Sequence, residues 1–250
     1  MHLSAMSAMN DCITTYMTKD RDYQLLDFGS FTNVGQKMNH RMLLDGYRCS
    51  ITGVDIQAGN NVDIPMTKPY RIPVRSRSQD IVISGQVFEH IPFPFASMLE
   101  IARVLKPGGL FFMTVPSRGH RHSTYDLWRY YPDSMRALAA YAGLELLQAH
   151  TDFPPRLDGG DRHDYAAIDH EFHYWGDTTG VFRRPRRRRP SPWRLLHRVV
   201  ELRHVNAIGD LSGVPKPPRP ANAGRAGRER RQRRLLERLE GTPAQGSGQG

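Results

Sequence analysis

A chain of 250 residues, 39% hydrophobic and 24% charged, is long enough for one folded domain and an extension. Its two cysteines, Cys12 and Cys49, support neither a disulfide scaffold nor a four-ligand zinc site, and its longest apolar run, GLFFMTV, falls far short of the roughly 20 residues a membrane-crossing helix needs. The net charge of +10 belongs to one end: 18 Lys and Arg stand against 5 Asp and Glu from Arg183 onward, and 17 against 20 before it.

Residues 3–19 read as a helix leading into a first strand, YQLLDF, and their start, MHLSAMSAMNDC, lacks the basic and apolar regions of a secretory signal. A cytoplasmic protein is the expectation. The strand runs into the glycine-containing loop GSFTNVG, and QKMNHRMLL after it has helical spacing. SITGVDI is a second strand ending at Asp55. The Asn- and Pro-rich AGNNVDIPMTKPYRIP follows as loop, with a brief extended piece near Tyr70–Ile72. DIVISG is a continuous apolar strand of the kind buried on both faces. FASMLEIARVL places Phe95, Met98, Leu99, Ala102 and Leu105 on one helical face, KPGG stops it, and LFFMTVPS is the next strand. PDSMRALAAYAG is a helix punctuated by Pro132 and Gly143, and LELLQAH and TGVFRR close the pattern as two strands.

Strands alternating with helices give an α/β fold, a doubly wound, mainly parallel, seven-stranded Rossmann-like sheet. The expected organisation is a helical lead-in over residues 1–19, the sheet domain over 20–185, and a basic Pro/Gly-rich tail over 186–250. That tail has the composition of a largely disordered segment. Within it, SPWRLLHRVVELRHV and RQRRLLERLE have the pattern of short amphipathic helices that form on contact with a partner.

In a wound sheet the ligand sits outside the carboxyl ends of the strands. Those ends carry Asp27-Phe28-Gly29-Ser30, Asp55-Ile56, Ser84-Gly85-Gln86 and Pro116-Ser117. The first loop has Gly29, but Phe31 stands where a dinucleotide loop has its second glycine, so a pyrophosphate is disfavoured. An acid at the end of the second strand suits the hydroxyls of a ribose. A nucleoside with an amino-acid end fits this pattern better than a dinucleotide.

LLDFGSFTNVG, GVDI, DIVISGQVFEHI and LEIARVLKPGGLFFMTVPS resemble the successive motifs of class I S-adenosylmethionine-dependent methyltransferases of the methyltransferase type 11-like kind. TYDLWRYYPDSMRALAAYAGLELLQAH and WGDTTGVFRRP continue the resemblance, which covers roughly residues 20–185. It implies S-adenosyl-L-methionine as cofactor. Asp27, Gly29 and Ser30 match positions near its methionyl end, Asp55 the ribose-binding acid, and Ile56 the apolar contact to adenine. Tyr70 falls in the segment beside the adenine amino group, where Thr67 and Lys68 occupy the place of the family's acidic residue. Ser84 and Gln86 match positions beside the methionine and the transferred methyl.

Each assignment has a plainer counterpart: Asp55 also suits a turn cap, and the histidines also suit packing. His90 in FEHI and His122 in SRGHRHSTYDLWRYYP are the candidate general bases, because a neutral imidazole can take a proton from an acceptor hydroxyl. His120, Tyr125, Trp128 and Arg129 are candidate acceptor contacts, forming a wall on which a sugar or aromatic group would stack. The His/acid-rich segment with His163, His170 and His173 reads as a lid or specificity loop, with no metal expected.

The sequence thus points to methyl transfer onto a small molecule, sugar or natural product, at a hydroxyl. A methyltransferase acting on RNA or protein, with the tail as a docking arm for a polyanion, is the first alternative. A non-catalytic module on the same fold is the second. Acceptor identity and oligomeric state are not legible.

Overall fold

A computed structural model describes residues 3–33, 35–36, 38–121, 123, 125–153, 156–157, 162–164, 176–186 and 192–208. Helix α1 (Leu3–Tyr16) precedes strand β1 (Tyr23–Phe28), a 3₁₀ turn (His40–Leu44), β2 (Cys49–Asp55), β3 (Ile64–Pro65) and β4 (Gln79–Gly85). A second 3₁₀ turn (Phe88–His90) leads to α2 (Pro94–Val104), β5 (Leu105–Arg118), α3 (Pro132–Ala142), β6 (Glu145–Thr151), β7 (Gly176–Arg183) and helix α4 (Pro192–Ala207).

The seven strands form one sheet in the order β3-β2-β1-β4-β5-β7-β6. Every pairing from β3 to β5 is parallel, and β7 runs antiparallel to both β5 and β6. The sheet is therefore mixed, with one reversed strand. The extended piece expected near Tyr70–Ile72 lies earlier, at Ile64–Pro65.

Side chains of a strand point alternately to its two faces, and the central strands are apolar on both. Leu26, Val82, Phe111, Met113 and Phe182 meet Met98, Ile101 and Val104 of α2 and Met135, Leu138 and Ala139 of α3. Their sequence neighbours Leu25, Ile81, Ile83, Phe112 and Val181 meet Met9, Cys12 and Ile13 of α1 and Leu44 of the first turn. Single-residue alternation thus assigns each apolar side chain to one of two cores. Burial among apolar side chains pushes the Cys12 thiol up to about 12, with nearby Asp11 adding to the rise.

α3 begins at Pro132 and ends on Gly143, whose φ of 66° lets its N–H return to Ala139 and Ala140. On α2 the buried arc is wider than the expected stripe: Glu100 and Arg103 are buried as a pair, while Phe95 is exposed against Tyr141. Arg103 donates to both oxygens of Glu100 (2.7 and 2.8 Å) and to the carbonyls of Ile72 and Val74, so neither charge is left bare.

The C-terminal segment departs from the sequence expectation. Residues 192–207, assigned there to a disordered tail, form α4, which packs against α2. Val205 is buried with Tyr70 and Ala96, and Asn206 accepts from the Tyr70 N–H at 3.1 Å. The partner that folds this amphipathic segment is the domain itself. Residues 209–250 lie outside the described residues.

Candidate active site

The strand order reverses between β1 and β4, and the crevice at their carboxyl ends is where an open α/β sheet receives a ligand. After β1 the chain turns sharply back, with the N–H groups of Gly29 and Ser30 both donating to the carbonyl of Val54 at the end of β2 (2.8 and 3.2 Å). Gly29 has φ of 83°, and a Cβ there would lie 2.2 Å from the side chain of Val87, so only glycine fits. Asp55 accepts from the backbone N–H of Phe31 (3.1 Å) and of Gln57 (2.9 Å), which ties the first loop to the end of β2. Each of its oxygens keeps a second lone pair for a further donor.

The other expected positions divide. Ser84 is buried and donates its hydroxyl to the Phe28 carbonyl (2.9 Å), joining β1 to β4 at the crevice. Ile56 stands at the rim, 59% exposed. Tyr70 is not brought to the crevice: it is buried beneath α4, its hydroxyl accepting from the Phe93 N–H.

The sequence reading missed a residue that the fold places at the centre. His40, 2% exposed, hydrogen-bonds through Nδ1 to Asp27 Oδ1 at 2.9 Å. The helix expected over QKMNHRMLL is only the short turn His40–Leu44, and this turn carries the ring inward. Among the described residues, His40 Nε2, Ser30 Oγ, Thr114 Oγ1 and Ser117 Oγ are buried without hydrogen-bond partners. Buried polar atoms are normally satisfied, so this concentration at the ends of β1 and β5 fits a polar ligand.

The segment after β4 forms the second half of the site. Gln86 holds a left-handed backbone (φ 59°) and donates from Nε2 to Asp177 Oδ1 at 3.1 Å, while Ser4 of α1 donates to Asp177 Oδ2 at 2.6 Å. Glu89 is 0% exposed and neither carboxylate oxygen is hydrogen-bonded among the described residues. Burial pushes its carboxyl up to about 8, Asp126 and Asp177 add to the rise, and Arg129 opposes it. His90, beside it, donates through Nδ1 to the Tyr125 carbonyl and presents Nε2 at 3.5 Å from Glu89 Oε1.

The loop after β5 is stitched to this turn rather than standing free. Trp128 Nε1 donates to the Ile91 carbonyl (2.9 Å), the Leu127 N–H to the Glu89 carbonyl (2.8 Å), and the Tyr130 hydroxyl to the Phe88 carbonyl (3.0 Å). Arg129 forks onto Asp126 and also donates to the carbonyl of His120, whose side chain is exposed. His122, His170 and His173 lie outside the described residues. His163 stacks on Phe153 (4.5 Å between centroids), which stacks on Tyr131 (6.2 Å). Among the described residues no group of three or more His, Cys, Asp or Glu is placed to hold a metal ion.

A Rossmann-like sheet with an acid near the end of each of its first two strands is an arrangement suited to a nucleoside. Residues 32–113 match the family model described as a methyltransferase domain. The putative methyltransferase of Haloferax volcanii, solved in complex with the Trm112 activator, is similar in fold: TM-score 0.52 at 19% identity, covering 73% of this chain and 91% of that one. A putative sarcosine dimethylglycine methyltransferase from Galdieria sulphuraria gives TM-score 0.51 at 19% identity, covering 73% and 86%. The Burkholderia thailandensis 1,6-didemethyltoxoflavin-N1-methyltransferase, solved with bound 1,6-didemethyltoxoflavin and S-adenosylhomocysteine, gives 0.50 at 17%, covering 73% and 79%. No curated protein matches the chain. The chain shares the fold of these methyltransferases.

Proposed function

We propose that this protein transfers a methyl group from S-adenosylmethionine to a hydroxyl of a small molecule or glycan. The observation that carries the choice of a hydroxyl is His90. Its Nδ1 donates to the Tyr125 carbonyl, which leaves Nε2 as the basic nitrogen of the neutral ring, on a side chain 33% exposed at the ligand edge of the sheet.

The cofactor supplies a methyl group activated by its sulfonium; the chain's own residues bind, orient and move a proton. Asp55 has free lone pairs for the ribose hydroxyls, and Gly29 and Ser30 line the first turn. Gln86, fixed by Asp177, stands after β4. His90 Nε2 takes the proton of the acceptor hydroxyl as the oxygen becomes the nucleophile. Trp128, 43% exposed, offers an indole face for a sugar or aromatic ring, with Tyr125 and His120 beside it in the same loop.

The uneven charge favours a second reading, a methyltransferase docked on RNA or protein by its basic C-terminal segment. No described helix is long and apolar enough to cross a membrane. The deciding experiment incubates the protein with labelled S-adenosylmethionine and acceptor pools divided into small molecules, RNA and protein. Label in the small-molecule pool supports the first reading, label in RNA or protein the second, and no label in any pool a non-catalytic module.

A further inference from the structure

His40 is the buried group at the crevice that the proposed reaction does not yet use. Its ring packs directly on Gly85 at the end of β4: a Cβ there would lie 2.6 Å from His40 Nε2 and 3.1 Å from Thr114 Oγ1. Glycine is what lets the ring stand in this place. Nε2 and Thr114 Oγ1, both buried and both without hydrogen-bond partners, therefore converge on one point at the ends of β1, β4 and β5. Asp27 holds the opposite side of the ring at 2.9 Å. A ring nitrogen and a hydroxyl make a donor pair, and donors converging beside a nucleoside crevice suit an anion.

We infer that His40, oriented by Asp27 and assisted by Thr114, receives the carboxylate at the methionine end of S-adenosylmethionine. The inference rests on the S-adenosylmethionine reading above. In this arrangement the ring bridges two carboxylates, Asp27 and the ligand's. Asp27 then acts on the ligand through His40 and not by direct contact.

The test is calorimetry on the full chain with two ligands, S-adenosylhomocysteine and 5′-methylthioadenosine, which lacks the amino-acid end. His40→Ala should weaken S-adenosylhomocysteine about 10- to 100-fold and leave 5′-methylthioadenosine within about twofold, because one charge-assisted bond is lost. His40→Gln, which retains an N–H donor, should restore part of the difference and serves where the alanine variant does not fold. Equal weakening of both ligands assigns the ring to the fold alone and overturns the inference. So does an unchanged affinity for S-adenosylhomocysteine, or a tighter one, which would make the ring a plug. If the unaltered protein binds neither ligand, the cofactor reading itself falls.

Discussion

Glu89 Oε1 stands 3.5 Å from His90 Nε2, so an acid with no exposure lies against the nitrogen proposed above as the base. At neutral pH the buried carboxyl holds its proton, so Glu89 faces the imidazole as a neutral acid. Two neutral partners cost less to bury than a separated charge.

This pair makes stability depend on pH in a definite direction. The carboxyl titrates at about 8 in the fold and at its ordinary 4.5 in the unfolded chain. Between these values the folded state keeps a proton that the unfolded state releases, so stability falls as pH rises through the window and levels off above it. Glu89→Gln, an uncharged isostere, should match the parent near pH 4.5 and exceed it by up to about 5 kcal/mol near pH 8.5. Thermal melts of both proteins across that range measure the gap; a constant gap would mean that Glu89 is ionised in the fold.

His90→Ala should lower turnover by about 10²–10⁴ while leaving cofactor affinity unchanged, as expected of a proton acceptor that does not hold the nucleoside. His122→Ala, made in parallel, tests the other candidate base. Full turnover in both variants at saturating substrates would leave orientation as the source of catalysis.

Asp55→Ala removes a ribose contact together with the acceptor of two backbone N–H groups. It should lose about 1.5–3 kcal/mol of cofactor affinity and also lower the melting temperature, because the Phe31 and Gln57 N–H groups lose their partner. Asp55→Asn, keeping one carbonyl oxygen, should fall between. Affinity loss without any change in melting would show that the loop does not depend on this carboxylate.

Asn206 bridges α4 to the Tyr70 backbone, so Asn206→Ala should cost about 1 kcal/mol of stability. Ending the chain after Ile208 should preserve the melting temperature, whereas ending it after Arg186 strips the cover from Tyr70 and Ala96 and should lower it. Cofactor binding should survive both truncations, since no crevice residue lies in α4. Calorimetric melts paired with titration of S-adenosylhomocysteine separate the two effects.

The sheet was legible because burial writes itself into the chain with a period of two, and Leu25–Leu26, Ile81–Val82 and Phe111–Phe112 each divide between the two cores. The helix expected after the first loop was not: there the chain forms only the short turn His40–Leu44, whose Leu44 packs with Met9, Cys12 and Ile13 of α1. Glycines at forced backbone positions and strand-end acids follow from local geometry, so the positions of Gly29 and Asp55 at the strand ends were legible. His40 was not, since its pairing depends on a turn that brings together side chains 13 positions apart. Glu89 was overlooked because depth of burial, and not residue type, gives it its character. The amphipathic pattern of α4 was visible, but composition does not say whether its partner is another molecule or the chain's own α2.

β7 is the single strand that runs against its neighbours, and this reversal has an effect on how the domain can diversify. β6 finishes and β7 begins at the ligand edge, so the intervening connection, residues 152–175, has both ends anchored beside the site. Additions or deletions there need alter neither a strand nor the crevice between β1 and β4. The length of this connection can drift while the sheet that carries the crevice stays fixed.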